Sequence, residues 1–273
     1  MTFHCFSSSR QKKKRISLHN PNFVGIFATL NHLIKIYNMA VWQLDDELWF
    51  PNPQWGEDNG LVAIGGDLSV KRLLLAYSNG FFPWYAFNME SEPHWYCPLD
   101  RFVIFPREIH ISHSMKQLLR QHKYEVTINQ DFAGVINGCS TAQQRDEQCG
   151  AWLGPDIINA YTELHRLGYA ASVEVWEPAG TGKRLVGGLY GVTLRKAFFG
   201  ESMFSQVPNA SKLALIYLAK TMEAVGGRFI DCQFETPHLA SMGGRHITYK
   251  QYMEILKADD CSVGNDVAES RPQ

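Results

Sequence analysis

Leu185-Val186-Gly187-Gly188-Leu189-Tyr190-Gly191-Val192, followed shortly by Phe198-Phe199-Gly200-Glu201-Ser202-Met203-Phe204-Ser205, decides the fold. Residues 185–194 and 197–199 read as strands. Three glycines weaken the first of them, so they mark a bulge or a close backbone approach. Working outward, a strand over 172–176 precedes the pair. An amphipathic helix over 210–225, closed by Gly226-Gly227, and a strand over 228–232 follow it. Upstream, Ile157, Ile158, Tyr161, Leu164 and His165 recur at helical spacing across 155–167, with Pro155 in the first turn and Gly168 past the end. Ser112 can cap a helix running to about 122. Residues 124–128 alternate like a strand, 131–139 are helical and 140–148 form a polar loop. Further upstream Gly65-Gly66-Asp67-Leu68 is a turn, and Ser69 caps a helix over 70–79 stopped by Gly80. Residues 100–106 form a strand near a domain joint, and Thr248 caps a last helix over 249–257. Helices mixed with antiparallel strands on short turns give an α+β reading. The expected division is 1–38 as a disordered or non-native extension, 39–106 as a small α/β domain, 107–258 as a larger domain, and 259–273 as a frayed tail.

The charge is unevenly spread. The 273 residues sum to −1, yet the first 38 carry six basic side chains and no acidic one, leaving 20 basic against 27 acidic over the rest. A body at −7 excludes a broad basic face for nucleic acid, so any RNA contact must be local. The 45% hydrophobic and 19% charged composition is that of a folded protein. No apolar run reaches the ~18 residues of a membrane span. The six cysteines include no C-x-x-C pair, and without an export signal they read as reduced cytoplasmic thiols.

Familiar catalytic patterns are missing or incomplete. Neither G-x-G-x-x-G nor G-x-x-x-x-G-K-[ST] occurs. His110-x-x-His113 lacks a third ligand, so no metal is expected. Ser202 sits in Gly200-Glu201-Ser202-Met203-Phe204, where a nucleophile elbow would need glycine at the last position. Cys232 beside Asp231 reads as a core thiol, because a neighbouring carboxylate raises its pKa. Three segments are odd for packing alone: the glycine-bearing strand, the carboxylate of Glu201 among large apolar groups, and Ile230-Asp231-Cys232-Gln233, which ends a strand with Asp231 and Gln233 on one face. Two carboxylates and an amide at strand ends could surround one polar substrate group.

Taken together, these segments resemble a known family. Asn59-Gly60-Leu61-Val62-Ala63-Ile64-Gly65-Gly66-Asp67-Leu68, Gly80-Phe81-Phe82-Pro83-Trp84, residues 185–192, residues 200–205, Asn209-Ala210-Ser211-Lys212 and residues 230–233 occur in the order and approximate spacing of leucyl/phenylalanyl-tRNA–protein transferases. That family begins near Met39, which favours a start there. The resemblance implies a small N-terminal α/β domain and a larger domain with the acyl-CoA N-acyltransferase (GNAT)-like fold. It also implies transfer of leucine, phenylalanine or methionine from aminoacyl-tRNA to the α-amine of a protein beginning with Arg or Lys, which marks that protein for N-degron proteolysis. No cofactor and no membrane are implied, and a monomer is expected.

By match to family positions, Gln233 would orient the amine while Asp231 polarises the network or accepts the proton. Glu201 and Asp231 would face the acceptor's cationic side chain. Leu189, Phe198, Met203, Leu215, Leu218, Met222 and Ile230 would line the aminoacyl pocket. Trp84, Trp152 and Tyr161 would lie near the terminal adenosine. His113, Lys116, Arg120 and Lys123 would contact tRNA, on a helix where Gln117 and Gln121 replace basic positions of the family, a loss the basic N-terminal segment would offset. The rivals are a CoA- or carrier-dependent N-acyltransferase of the same fold and a non-catalytic binding module for tRNA ends or degradation signals. Absence of an R-x-x-G-x-G/A pyrophosphate loop argues against CoA, and the set Asp231, Gln233 and Glu201 argues against the binding module.

Overall fold

The computed structural model describes residues 15–16, 41–84, 92–144 and 153–258. The expectations for Trp152, for the 259–273 tail and for most of the N-terminal extension lie outside the described residues. In chain order the elements are β1 (Arg15–Ile16), β2 (Val41–Leu44), β3 (Leu61–Gly65), α1 (Val70–Ser78), β4 (Phe82–Pro83), β5 (His94–Tyr96), β6 (Asp100–Ile104), α2 (His113–Arg120), β7 (Glu125–Ile128), α3 (Phe132–Gln144), α4 (Pro155–Arg166), β8 (Ala170–Ala179), β9 (Gly182–Leu194), β10 (Ala197–Ser205), α5 (Ala210–Ala224), β11 (Phe229–Asp231), α6 (Pro237–Ser241), β12 (Arg245–Thr248) and α7 (Tyr249–Lys257). The architecture is mixed, with two sheets and helices, as the α+β reading expects. The smaller sheet has the order β1-β2-β3-β5-β4, and the larger β12-β6-β11-β10-β9-β8-β7.

Successive residues on the central strands serve different cores, as a period of two requires. Tyr190 and Phe199 join a cluster with Tyr77 of α1, Trp95 of β5, Val135 of α3 and Ile157 of α4. Leu189 and Phe198 join a second cluster with Ile216 of α5 and Ile230 of β11. The larger sheet therefore carries α3 and α4 on one face and α5 on the other, and the first cluster ties the smaller sheet to it. Helix ends follow local chemistry. Ser69 accepts from the Arg72 amide to cap α1, and Thr248 with Gln251 forms a reciprocal capping box on α7.

Several boundaries differ from the sequence reading. The strand at 197–199 continues to Ser205, because β9 partners it on both sides of an irregularity between Gly200 and Ser202. The loop expected at 140–148 is helical through Gln144. The strand from residue 100 ends at Ile104, where Pro106 opens a 3-10 turn, and it belongs to the larger sheet between β12 and β11. The short elements β2, β3, β5, α6 and β12 carried too few residues for a periodic signal.

One feature of the larger sheet positions the site. Its neighbouring strands are antiparallel except β10 and β11, which α5 links as a crossover. Their parallel pairing covers Ala197–Phe229, Phe198–Ile230 and Phe199–Asp231 and then stops. β11 ends at Asp231 while β10 runs on, so a gap opens between them.

Gly187, Gly188 and Gly191 of β9 are close-approach positions. A Cβ on Gly187 would collide with Cβ of Ala210, at the start of α5, and come within 3.1 Å of the Phe204 carbonyl. Gly187→Ala is expected to force α5 off the sheet and destabilise the fold by about 1–3 kcal/mol, measured by urea denaturation; unchanged stability would show that this contact does not set the helix position.

Candidate active site

A cavity of about 490 Å³ fills the gap between β10, β11 and α5. Its apolar end is built from Leu189, Phe198, Met203, Leu215, Leu218 and Ile230, and its polar end from Glu201, Asp231, Gln233 and Thr236. A β-bulge brings Glu201 to it. Gly200 pairs with Gly191 and Ser202 with Tyr190, so Glu201 is the unmatched residue in the ladder. Bulges re-aim side chains in this way beside functional sites.

The Glu201 carboxylate accepts from Tyr77 Oη at 2.7 Å on Oε1 and from Tyr161 Oη at 2.8 Å on Oε2, and the two phenols also touch each other. Gln233 Nε2 donates to Oε1 at 3.4 Å. Burial pushes the Glu201 pKa up to about 7, against the lowering effect of the two phenol hydrogen bonds. Asp231 adds to the rise, and Arg101 opposes it. A carboxyl so placed exchanges protons near neutrality, where an ordinary glutamate is fully ionised.

Asp231 is held differently. Buried Arg101 grips it in a fork, with Nε 2.9 Å from Oδ1 and Nη2 2.7 Å from Oδ2. Tyr252 Oη donates to Oδ2 at 2.8 Å, and the Gln233 amide donates to Oδ1 at 2.9 Å. The guanidinium lies over the rings of Phe82 (4.8 Å) and Tyr252 (5.0 Å). The amide bond from Gln233 accompanies a left-handed backbone there, φ 59°, which is unfavourable for a residue with a side chain. Gln233 therefore leaves the strand, and its side chain turns toward Glu201. The sequence reading had Asp231 and Gln233 alternating on one strand face; the left-handed residue replaces that alternation.

Residues 103–257 match the family model described as leucyl/phenylalanyl-tRNA protein transferase, and residues 66–99 match the model of that family's N-terminal domain. The chain belongs to this family. A leucyl/phenylalanyl-tRNA–protein transferase of Syntrophobacter fumaroxidans is 46% identical over 80% of this chain and 90% of its own length. Those of Nitrosomonas eutropha and Edwardsiella ictaluri are each 48% identical, over 73% and 80% of this chain and 82% and 87% of theirs. Among solved structures, L-PGS from Bacillus licheniformis is 13% identical over 66% of this chain and 57% of its own, at a TM-score of 0.33, too low to assign a fold.

For this leucyl/phenylalanyl-tRNA–protein transferase family member, the expected residues fall into distinct places. Glu201, Asp231, Gln233 and six of the seven expected pocket residues meet at one cavity. Met222 instead lines a neighbouring cleft that shares Phe198 and Leu218. Trp84, 42% exposed, packs on Tyr96 and Phe234 and borders a smaller cleft with Glu201 and Gln233. Tyr161 was expected beside an adenine, but it is fully buried with its hydroxyl on Glu201, so no ring face remains for a base. His113, Lys116 and Arg120 are exposed on α2. Lys123 lies 3.6 Å from Glu177 and over the Tyr124 ring. The Cys232 thiol, also at the cavity, has its pKa raised by burial and then by Asp231, which leaves it unreactive. His110 spends its Nδ1 on the Ser241 carbonyl.

Sequence reasoning missed Tyr77, Arg101 and Tyr252. Their only signal was a polar group at positions whose spacing is apolar, above all an arginine beside Phe102-Val103-Ile104. Arg101→Met would leave the Asp231 carboxylate buried without its cation, and a loss of about 3–5 kcal/mol is expected in chemical denaturation. A loss below 1 kcal/mol would show that the pair contributes little to the fold.

Proposed function

We propose that this protein transfers leucine, phenylalanine or methionine from aminoacyl-tRNA to the α-amine of a protein whose first residue is Arg or Lys, marking that protein for proteolysis in the cytoplasm. The observation that carries the reading is the cavity itself. An apolar end suits an unbranched-tolerant hydrophobic side chain, and the polar end presents a carboxyl near its pKa beside a carboxamide. Family membership supports the same reaction.

No covalent intermediate is required. The α-amine nitrogen attacks the ester carbonyl carbon, the bond to the ribose oxygen breaks, and an amide forms. The ammonium gives up one proton before attack and a second afterwards; one reaches the ribose oxygen and the other leaves through the site. Gln233 donates from Nε2 to Glu201, which turns its carbonyl oxygen toward the amine. Glu201 takes the proton. An α-ammonium titrates near ~8, about one unit above Glu201, so the transfer is uphill by only ~1.4 kcal/mol. Asp231 acts as a positioning residue: its charge is matched by Arg101, and it fixes Gln233 through the backbone amide. The Glu201 carboxylate also supplies negative charge toward the acceptor's cationic side chain. The flexible Met203 suits a pocket that takes both leucyl and phenylalanyl groups, and β-branched donors would clash at their first carbon.

Exposed His113, Lys116 and Arg120, with Lys123, are read as a local tRNA contact, and Trp84 as a stacking surface near the terminal adenosine. Residues 39–106 are read as the small domain and 107–258 as the catalytic domain, with β6 completing the sheet of the latter. Support for a GNAT-like fold comes from the parallel pair β10–β11, which parts at the site. We read the protein as a monomer.

The test is incubation of labelled leucyl-tRNA with an Arg-headed peptide. Label in the peptide without added CoA is the expected result. Strict CoA dependence would favour a carrier-dependent acyltransferase, and RNA binding without transfer a binding module. Because Glu201 must be ionised to take a proton that the α-ammonium must still carry, kcat/KM should rise with pH through about 7 and level off or fall above the ammonium ionisation near ~8. Glu201→Gln should lose the first limb and about 10²–10⁴-fold in rate. Tyr161→Phe removes a hydrogen bond that lowers the Glu201 pKa, so it should move that limb to higher pH. A first limb unmoved in both variants would take the proton-acceptor role from Glu201.

A further inference from the structure

We propose that Phe198 and Leu218 form a partition that sets the depth of the donor pocket, and that a second apolar cleft lies directly behind it as latent pocket. The inference rests on the transfer reaction proposed above and names what limits its donor.

Two cavities border the same stripe of α5. Ser211, Leu215 and Leu218 face the first, and Leu218, Thr221, Met222 and Val225 face the second, which measures about 220 Å³. Steps of four, three, three, one and three residues keep these side chains on one side of the helix. At 1.5 Å per residue the stripe is about 20 Å long. The facing strand shows the same order. Gly200, Glu201, Ser202 and Met203 of β10 border the first cavity, Ala197 borders the second, and Phe198 borders both. The two cavities therefore adjoin along α5 and meet where Phe198 and Leu218 stand: the first lies between β10, β11 and α5, and the second continues beneath α5 over the outer strands, with Ala171 and Val173 of β8 and Thr193 of β9 in its floor.

The partition is placed by a glycine. Phe198 pairs with Thr193 of β9, and its ring leans diagonally over Gly191, where a Cβ would stand 2.6 Å from Cε1 and 2.7 Å from Cζ. Only bare backbone at residue 191 leaves room for the ring in that position. Phe198 and Leu218 are almost fully buried and apolar, so packing alone holds the wall. Behind it stands Met222, whose unbranched thioether adapts to a new neighbour. The polar end with Glu201 and Gln233 lies on the other side of the partition, so lengthening the apolar end leaves the reacting groups where they are.

Shortening Phe198 should thus admit aminoacyl groups longer than phenylalanyl, with the distal ring in the second cleft. The experiment compares leucyl-, phenylalanyl- and 2-naphthylalanyl-tRNA as donors to an Arg-headed peptide, using the full chain and the variants Phe198→Ala and Phe198→Leu. The ratio of kcat/KM for naphthylalanyl to leucyl donor should rise about tenfold or more in Phe198→Ala and by less in Phe198→Leu. Phe198→Leu keeps the comparison available if the alanine variant does not fold. An unchanged or lower ratio in the folded variants overturns the partition. If the unaltered chain transfers no amino acid at all, the transfer reading fails, and a crystal structure of the variant then decides the partition. One continuous cavity supports it, and a gap refilled by Leu218 and Met222 overturns it.

Discussion

After Asp231 the chain turns out of the larger sheet, and β10 loses its parallel neighbour while still paired to β9 on its other side. Everything at the site follows from that parting. Three residues of parallel pairing anchor the two strands, and beyond them the space that a strand would fill becomes a cavity. The turn is stabilised by one buried carboxylate. Asp231 accepts from Arg101, Tyr252 and the Gln233 amide together, so strand end, guanidinium and left-handed residue form a single unit. A buried ion pair of this kind contributes less to net stability than its Coulomb attraction implies, because both ions lose their hydration. Its value here is geometric, since it fixes where the carboxamide of Gln233 lies.

The two carboxylates illustrate how environment separates like groups. Asp231 faces a cation that is itself buried between two aromatic rings. Glu201 faces two phenols and an amide, none of them charged, and burial raises its pKa to about 7. Glu201 is thereby a group that can exchange a proton near neutral pH, while Asp231 is locked in an ion pair that fixes geometry. Neighbouring residues in the sequence do not distinguish them: both follow an apolar or glycine residue at the end of a hydrophobic run.

The glycines of β9 connect fold and pocket. Gly187 lets α5 lie close against the sheet, and Gly191 receives the Phe198 ring. Their spacing in the sequence announced close approach. What approached was invisible there, since Ala210 and Phe198 come from different elements that only the sheet brings together.

Much of this protein was legible in the order of its residues. Periodicity located α4 and α5, because apolar positions recur every three or four residues along them, and the caps Ser69, Ser112 and Thr248 marked the starts of α1, α2 and α7. Six short motifs in order were enough to identify the family, and six of the seven apolar positions that the resemblance implied line one cavity. The sequence could not show that Glu201 sits on a bulge, since register depends on the partner strand. Nor could it show that Tyr161 is spent on Glu201 rather than on a base, or that Arg101 reaches across 130 positions to Asp231. Local pattern is written along the chain because helix and strand periods act over a few residues. Charge pairing, proton affinity and cavity depth depend on side chains far apart in sequence, and only the folded arrangement decides which of them meet.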